Sequence, residues 1–444
     1  MQQDPDIEAL RRDAERGIPA AEYNLGVWNL TAPGEAADYR AALRLFESAG
    51  SKDFAPALSA LGYMHLRGQG VPIDAGRAAE LFRQAAALDF PEASYRLGEL
   101  LATGCGVHRD LQAARAAFRD AARHGHTVAM SQLAYCLSHG IGGDGDPVEA
   151  AQLYVRAAIE GEPRAQCRVA AGYETGDMFP ADPERALVWY LRAGNYGDAR
   201  GACQRLIGAL DPDQVRRAGD AAAAPAVDPG EVGKAEPGRP PDVQVLCWSP
   251  RIFLFNNFLS GEECHHLINL ARPFLRAAMV LNRRTGKKVH DQARTSRNAR
   301  LINPIRDVLV DHVESRLAQC SLLPRENGEP ITILRYGPGD EYKPHSDYYD
   351  PRHPGSSTGL ALGGQRIATF LAYLNSVEAG GATTFPRIGL SVAPRPGTGL
   401  LFFNCEPDGT PDKLTLHAGE PVETGKKWLL SRWIRTGVYP LTGG

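Results

Sequence analysis

A 36-residue repeat runs through the first half of the chain and constrains its fold more than any other feature. Five successive units carry the same small and apolar residues at the same positions. The first column is Leu25-Gly26, Leu61-Gly62, Leu97-Gly98, Leu133-Ala134 and Val169-Ala170. Three further columns recur every 36 residues. They are an alanine from Ala21 to Ala165, an aromatic residue from Phe46 to Tyr190, and an alanine from Ala49 to Ala193. Self-similarity at such a period is typical of stacked helical repeats.

Each repeat is predicted to contain two helices. The first helix carries the Leu-Gly pair, whose small residue lets a neighbouring helix approach closely. Asp74 and Asp110 stand one period apart, where an N-cap would open the second helix. One unit cannot bury its apolar face alone, so the units must stack on each other. The pattern therefore predicts an all-α solenoid of helix-turn-helix repeats over residues 1–212.

The composition changes after the last repeat. Residues 213–242 are rich in Ala, Pro and Gly and contain no large apolar residue beyond Val. Such a stretch cannot bury enough apolar surface to offset its conformational entropy. We therefore expect a flexible linker that lets the C-terminal domain move relative to the solenoid.

Residues 243–444 have the pattern of a second, β-rich domain. Ser260 and Glu263 form a capping-box pattern that predicts a helix to about residue 275, and another helix is predicted near 305–320. Beyond Pro330, short apolar segments alternate with Gly and Pro, which is typical of an antiparallel sandwich. We expect a double-stranded β-helix, or jelly roll, with flanking helices on the outer face of one sheet.

Three candidate metal ligands occur in this domain. His345 and Asp347 are two residues apart in a predicted strand, where both side chains would point to one face. His417 follows at the end of another predicted strand. Two imidazoles and one carboxylate leave coordination positions open, which suits an Fe(II) ion that binds a chelating co-substrate and O2.

Two similar pairs elsewhere are predicted to be structural. His108 and Asp110 have the same spacing as His345 and Asp347, but Asp110 repeats the cap position of the previous repeat. The pair His312-Val-Glu314 falls inside a predicted helix, where side chains two residues apart diverge. The spacing alone is therefore weak evidence for a metal site, and the β-rich context distinguishes His345.

Lys427 lies ten residues after His417, on the next predicted strand and facing the interior. A buried lysine needs an anionic partner because an unpaired buried charge is costly. The distal carboxylate of 2-oxoglutarate would supply that partner. The alternative is that Lys426 and Lys427 belong to a solvated turn.

The two halves of the chain resemble two known families. Residues 6–212 are similar to Sel1-like repeats, relatives of the tetratricopeptide repeat, through strings such as ALGYMHLRGQGVPIDAGRAAELFRQAA. Residues 243–440 resemble the prolyl 4-hydroxylase type of Fe(II)/2-oxoglutarate dioxygenase. The matching strings are LRYGPGDEYKPHSDYYD, GGQRIATFLAYLNSVEAGGATTFP and HAGEPVETGKKWLLSRWIR, with FNNFLSGEECHHLINLA and Arg294-Thr-Ser296 upstream. The first resemblance implies a protein-interaction scaffold and the second implies an enzyme.

The second resemblance implies a set of cofactors and the residues that hold them. His345, Asp347 and His417 match the iron ligands, and these three residues with Lys427 would form the catalytic centre. Lys427 matches the lysine that pairs with the C5 carboxylate of 2-oxoglutarate. The resemblance also implies O2 as the second co-substrate and ascorbate as a reductant for oxidised iron.

Five further positions match residues around the family's active site. Tyr336 and Thr383 match residues that contact 2-oxoglutarate, and Trp433 matches a residue lining the iron pocket. Tyr342 and Arg366 match positions that face the peptide substrate groove. Core packing is the alternative for each aromatic residue, Trp433 above all, and a surface charge is the alternative for Arg366.

The resemblance implies that 2-oxoglutarate is converted to succinate and CO2 while an unactivated C–H bond is hydroxylated. A prolyl or other residue of a protein is the expected substrate, because helical repeats usually bind polypeptide. The same iron chemistry on a small molecule and a non-catalytic repeat-based scaffold are the alternatives. Residues 350–366 depart from the family pattern beside the groove, and His353 there is expected to be a loop or substrate-contact residue.

The bulk composition excludes several other classes of protein. A formal net charge of −3 predicts no strong attraction to nucleic acid or to anionic membranes. The polar N-terminus does not match a secretory signal peptide, and no apolar stretch is long enough to cross a bilayer. Eight dispersed cysteines without a CxxC pair suggest a reducing compartment. We therefore expect a cytoplasmic protein that contacts neither membrane nor nucleic acid.

Overall fold

The computed structural model of the 444-residue chain describes residues 7–31, 37–223, 227, 229–235, 240–281, 285, 287–290 and 293–440. The chain divides into two compact units, Met1–Glu162 and Pro163–Gly444. The domain limits expected from the sequence, at residues 212 and 243, stay a prediction. All eight cysteines lie within the described ranges and have free thiols. In the described ranges, no helix is both long and apolar enough to span a membrane.

The described part of the first unit consists of nine helices that pack on each other in sequence order. They are α1 (Ile7–Glu15), α2 (Pro19–Thr31), α3 (Tyr39–Gly50), α4 (Ala55–Arg67), α5 (Ala75–Ala86), α6 (Pro91–Thr103), α7 (Leu111–Arg123), α8 (Thr127–His139) and α9 (Pro147–Ile159). This arrangement confirms the expected solenoid of helix-turn-helix repeats.

A contact between a ring and a glycine recurs from one repeat to the next. A Cβ atom added at Gly26 of α2 would lie 2.5 Å from the ring of Phe46 on α3. Gly62 of α4 and Phe82 of α5 repeat this arrangement at 2.8 Å. The small residue of the Leu-Gly column therefore makes room for the buried aromatic side chain of the following helix.

The predicted N-caps of the second helices are confirmed. The Asp74 carboxylate accepts a hydrogen bond from the backbone N–H of Arg77 at 2.9 Å, and Asp110 accepts one from Ala113 at 2.9 Å. Each carboxylate satisfies an N–H group that the helix itself leaves unpaired. The pair His108 and Asp110 is thus explained by helix capping.

Four helices open the second unit. They are α10 (Pro163–Thr175), α11 (Pro183–Ala193), α12 (Ala199–Ala209) and α13 (Pro212–Ala221). Helix α13 occupies the start of residues 213–242, where the composition predicts a flexible linker without regular structure. The structure differs there because Asp211 and Gln214 form a capping box and Arg217 pairs with Glu184 at 2.8 Å.

The remaining described elements of the second unit are sixteen strands, three α-helices and four short 3-10 turns. The strands are β1 (Asp242–Cys247), β2 (Ile252–Asn256), β3 (Arg276–Ala277), β4 (Val280–Leu281), β5 (Lys288–Val289), β6 (Arg297–Arg300), β7 (Thr332–Tyr336), β8 (Tyr342–His345), β9 (Arg366–Tyr373), β10 (Ala379–Gly380), β11 (Thr383–Phe385), β12 (Leu390–Val392), β13 (Gly399–Phe403), β14 (His417–Gly419), β15 (Val422–Thr424) and β16 (Lys427–Arg435). The helices are α14 (Gly261–Ala271), α15 (Val308–Ser321) and α16 (Ser356–Leu360).

The strands form two main antiparallel sheets. The larger sheet has the order β1-β2-β13-β9-β16-β7-β6-β3, and the smaller has the order β12-β11-β14-β8. Two short pairs, β10 with β15 and β4 with β5, complete the described strands. Crossovers between non-consecutive neighbours in both sheets are typical of a jelly roll. The expected antiparallel β domain is therefore confirmed.

Both flanking helices form where the sequence predicts them. The side chain of Ser260 and that of Glu263 cap each other's backbone N–H at the start of α14. That helix ends at Ala271, four residues earlier than predicted, and a short 3-10 turn follows. The N-cap of α15 is Asp307, which accepts a hydrogen bond from the N–H of Val310 at 3.0 Å.

Within the second unit, the last repeat packs against α14. Arg164 of α10 forms an ion pair with Glu262 at 2.7 Å, with side-chain exposures of 3% and 4%. His266 bridges the repeat and α15, because it contacts the hydroxyl of Tyr196 at 2.6 Å and the carboxylate of Asp307 at 2.5 Å. Residues 163–198 are therefore fixed to the β domain, which differs from the free movement expected of a tethered domain.

Replacing Glu262 with Gln tests whether this buried ion pair secures α14. The change removes the carboxylate charge that faces Arg164 while it preserves side-chain size. We expect the free energy of unfolding to fall by about 3–5 kcal/mol, because breaking a buried pair from one side leaves a buried charge. Urea denaturation followed by circular dichroism measures the change.

The matched control is Asp213→Asn, which removes an exposed ion pair with Arg216 in the same unit. Exposed pairs contribute at most about 1 kcal/mol. A loss for Glu262→Gln no larger than that of the control would contradict the role of the buried pair.

Candidate metal centre

Three side chains converge at the end of the smaller sheet. His345 is the last residue of β8 and His417 is the first residue of β14, and the antiparallel register places them directly opposite each other. The carboxylate of Asp347 lies 3.7 Å from His345 Nε2 and 3.5 Å from His417 Nε2. One potential ligand atom from each residue lies within 4.8 Å of the others.

The physical reason for this convergence differs from the predicted one. Strand β8 ends at His345, so Asp347 lies beyond the strand and strand alternation does not orient it. Instead, the hydroxyl of Thr369 on β9 donates a hydrogen bond to Asp347 Oδ2 at 2.7 Å. A residue from the larger sheet therefore fixes the carboxylate of the smaller one.

Backbone carbonyl groups orient both imidazole rings. His345 Nδ1 lies 2.8 Å from the carbonyl oxygen of Lys343, and His417 Nδ1 lies 2.9 Å from that of Thr415. Because a carbonyl only accepts hydrogen bonds, each Nδ1 carries a proton, which leaves Nε2 as the ring atom that could bind a metal ion. Such contacts behind the ring are typical of metal-binding histidines.

The electrostatics of the site favour the ligand forms that bind metal ions. Burial, together with the neighbouring His417, lowers the pKa of His345 to about 3. Burial alone would raise the pKa of Asp347, but His417, His345, Arg366 and the Thr369 hydrogen bond together lower it to about 2. At neutral pH, His345 is therefore neutral and Asp347 is ionised, as metal coordination requires.

The donor set fits one class of metal. Two imidazole nitrogens and one carboxylate that face an open cavity form the facial arrangement of non-haem Fe(II) oxygenases. The three side chains lie in the wall of this cavity, which is partly open to solvent.

Lys427 lies in the wall of the same cavity. It is the first residue of β16 and stands directly opposite Tyr336 on β7. Its side chain is buried, and it forms no ion pair or hydrogen bond with the residues that the structure describes. The ammonium nitrogen lies 5.5 Å from the ring centroid of Tyr336 and 5.6 Å from that of Tyr373. The solvated-turn alternative for Lys427 is thus incompatible with its position.

Burial lowers the pKa of Lys427 to about 7, and the more distant Glu420 only partly offsets this effect. Burial also raises the pKa of Tyr336, so its phenol keeps the proton. In the free site at neutral pH, Lys427 is therefore protonated in only about half of the molecules. An anion bound beside it would restore the charge.

Three other residues that the sequence predicts at the site also lie in the cavity wall. Thr383 and Trp433 lie in the cavity wall, and the Thr383 hydroxyl accepts a hydrogen bond from Tyr373 at 2.9 Å. The indole Nε1 of Trp433 is buried without a hydrogen-bond acceptor among the described residues. Tyr342 also lies in the wall, where its ring stacks on His345 with 3.4 Å between centroids.

Arg366 lies behind the cavity wall. Its guanidinium group pairs with the carboxylate of Glu329 at 2.6 Å and lies 4.1 Å from the ring centroid of Trp433. The surface-charge alternative is wrong for Arg366, because the side chain is largely covered and its charge is paired. His353 stands apart from the metal ligands, in the loop before α16.

Arg294 also lies in the cavity wall, although its sequence context predicts no role for it at the site. It is buried, and its guanidinium carbon lies 4.8 Å from the ring centroid of Tyr342. One guanidinium nitrogen, Nη2, has no acceptor among the described residues. No local sequence signal places Arg294 there, because an isolated bridge to Tyr342 brings it to the cavity from more than forty residues away.

Comparisons with known proteins agree with these observations. Residues 331–435 match the 2OG-Fe(II) oxygenase superfamily, and five Sel1 repeats match residues 19–54, 55–90, 91–126, 127–162 and 163–198. The chain is 38% identical over 217 residues to the probable prolyl 4-hydroxylase 3 of Arabidopsis thaliana, which covers 45% of this chain and 74% of that protein. It is 41% identical over 213 residues to the probable prolyl 4-hydroxylase 7 of the same plant, across 44% of this chain and 66% of that one.

Among solved structures, a viral collagen prolyl hydroxylase from Paramecium Bursaria Chlorella virus-1 is similar to part of the chain. The identity is 27% and the TM-score is 0.33, with 43% of this chain and 98% of that chain covered. The sequence matches, taken with the two sheets and the converging ligands, establish the family. The chain belongs to the prolyl 4-hydroxylase family of 2-oxoglutarate-dependent Fe(II) dioxygenases and carries five Sel1 repeats ahead of its catalytic domain.

Proposed function

We propose that this enzyme hydroxylates an unactivated C–H bond of a protein substrate, most simply on a prolyl residue. His345, Asp347 and His417 would hold Fe(II), which supplies the O2-activating chemistry when bound. The observation that carries the proposal is that these ligands share one cavity with a buried lysine. In such a reaction, 2-oxoglutarate leaves as succinate and CO2.

Lys427 and Tyr336 would anchor the distal carboxylate of 2-oxoglutarate. A buried ammonium group that pairs with no carboxylate of the described residues is complementary to an anion, and the adjacent phenol can donate a hydrogen bond. Thr383 lies in the same wall and would contact the same co-substrate. Because Lys427 is buried, its interaction with a bound carboxylate would be stronger than the same interaction in bulk water.

The substrate groove would lie on the side of Tyr342 and Trp433. The indole N–H of Trp433 has no acceptor in the described part of the chain, and the Arg366 guanidinium packs against the indole ring. A peptide carbonyl would satisfy the indole donor. The Sel1 repeats and the prolyl 4-hydroxylase relatives both favour a polypeptide as the substrate.

Two further expectations belong to the same proposal. Ascorbate would reduce iron that becomes oxidised without substrate turnover. We also propose a cytoplasmic location, which the eight free thiols support.

The ligand assignment is tested by Asp347→Ala in the full chain. Removing the carboxylate takes away one of three ligands, so we expect Fe(II) binding to weaken strongly and 2-oxoglutarate turnover to fall to background. Anaerobic titration with Fe(II) and a succinate assay measure the two effects. Full turnover in this variant would reject the assignment.

The anchor assignment is tested by Lys427→Ala. Loss of a charge-assisted hydrogen bond should raise the KM for 2-oxoglutarate by about 10- to 100-fold. Fe(II) affinity should stay close to that of the wild-type enzyme. Lys426→Ala is the matched control, because Lys426 is exposed. An unchanged KM in Lys427→Ala would contradict the anchor role.

The lowered pKa of Lys427 also predicts a pH dependence. As the pH rises above about 7, a growing fraction of the free enzyme holds a neutral lysine, so 2-oxoglutarate binding should weaken. The loss approaches tenfold per pH unit between pH 7 and 9. Lys427→Arg keeps its charge over this range and should flatten the profile, which titration calorimetry of the Fe(II)-loaded protein measures. A flat wild-type profile would contradict the prediction.

The protein-substrate proposal is tested with the Asp347→Ala chain as a trap. Proteins that it retains from a lysate are then incubated with wild-type enzyme, Fe(II) and 2-oxoglutarate. Peptide mass spectrometry should find a mass increase of one oxygen atom on a residue of a captured protein. Turnover on a free metabolite, with no modified protein, would favour the small-molecule alternative.

A further inference from the structure

A buried chain of two polar side chains stands behind Asp347. Thr369 of β9 donates its hydroxyl proton to Asp347 Oδ2 at 2.7 Å, and the amide nitrogen of Asn404 lies 2.9 Å from the same hydroxyl oxygen. Thr369 and Asn404 are both completely buried, and neither lies in the cavity wall. Buried polar groups in such a position are costly unless their hydrogen bonds are made.

The two hydrogen bonds run in one direction, from Asn404 through Thr369 to Asp347. A threonine hydroxyl carries one proton, whereas an amide nitrogen can only donate. Since Asn404 Nδ2 donates to the Thr369 oxygen, the one hydroxyl proton must point to the ionised carboxylate of Asp347. A hydrogen bond to a charged acceptor is stronger than one between neutral groups.

The backbone holds Asn404 firmly in place. Its N–H donates to the carbonyl of Ile367 at 2.8 Å, and its own carbonyl accepts from the N–H of Asp412 at 2.9 Å. The side-chain oxygen of Asn404 has no hydrogen-bond donor among the described residues. If the amide were reversed, that oxygen would compete with Asp347 for the hydroxyl proton.

Asp347 depends on this chain because no strand orients it. The residue lies beyond the end of β8, unlike His345 and His417, which belong to paired strands. One carboxylate oxygen, Oδ2, receives the Thr369 hydrogen bond, and this contact limits rotation of the whole group. Contacts behind a metal ligand of this kind set its orientation and its basicity.

We infer that Thr369 and Asn404 are positioning residues of the iron site, which hold the Asp347 carboxylate in the orientation that binds metal. The inference rests on the proposed function, because it requires that Asp347 is an iron ligand. Thr369 lies on β9, and Asn404 directly follows the last residue of β13, so both come from the larger sheet. The inference adds them to a site whose histidines belong to the smaller sheet. Neither residue would touch the iron or the co-substrate.

Anaerobic Fe(II) titration of the full-length chain tests the inference without any need for a substrate. Thr369→Val keeps the side-chain shape and removes the hydroxyl, and it should raise the Kd for Fe(II) by about 10- to 100-fold. Thr369→Ser restores the hydroxyl and should recover near wild-type affinity. Asn404→Leu removes the hydrogen bond that fixes the direction of the Thr369 hydroxyl, and it should give an intermediate loss of Fe(II) affinity.

A structural role alone would not produce this pattern. Thr332→Val removes another buried hydroxyl, which makes no contact with the metal ligands. This hydroxyl donates a hydrogen bond to the carbonyl oxygen of Pro330, at a distance of 3.2 Å. The substitution should leave the Kd for Fe(II) unchanged, whatever it does to the melting temperature of the metal-free protein. Comparable Fe(II) affinity in Thr369→Val and the wild type, or an equal loss in Thr332→Val, would overturn the inference.

Asp347→Ala separates failure of this inference from failure of the proposed function. If Asp347→Ala abolishes Fe(II) binding while Thr369→Val leaves it intact, only the positioning role is rejected. If Asp347→Ala itself binds Fe(II) as the wild type does, the metal assignment and the inference both fail.

Discussion

Antiparallel strand register is the constraint on which the whole active site depends. The pairing of β14 with β8 places His417 opposite His345, and the pairing of β16 with β7 places Lys427 opposite Tyr336. Because side chains alternate between the two faces of a sheet, a slip of one residue would move Lys427 out of the cavity. The metal ligands and the proposed anion anchor therefore meet only in this register.

The cavity combines two charges that the protein alone does not balance. Among the described residues, no carboxylate pairs with the Lys427 ammonium, and His345, Asp347 and His417 form an anionic cluster that could hold a divalent ion. Burying such groups costs stability, and they lie beside an apolar core to which both sheets contribute. A perturbed lysine beside a ligand cluster is typical of a functional site rather than of a structural core. Both charges become favourable when metal and co-substrate bind.

The sequence predicted the features that follow from local pattern. The repeat columns, the caps at Asp74 and Asp110 and the β-rich character of the second domain all depend on residues close in the chain. It also selected the three residues that converge at the candidate metal centre, although it attributed Asp347 to a strand that ends before it. It missed contacts between distant segments, such as the Thr369 and Asn404 chain and the Arg164–Glu262 pair, because no periodicity records which segments fold together.

A crystal structure of the anaerobic Fe(II) and 2-oxoglutarate complex tests the central claim most directly. The account predicts an iron anomalous peak bounded by His345 Nε2, His417 Nε2 and the Asp347 carboxylate. It also predicts the distal carboxylate of 2-oxoglutarate at hydrogen-bond distance from Lys427 Nζ. Iron at another location, or 2-oxoglutarate bound without contact to Lys427, would contradict it.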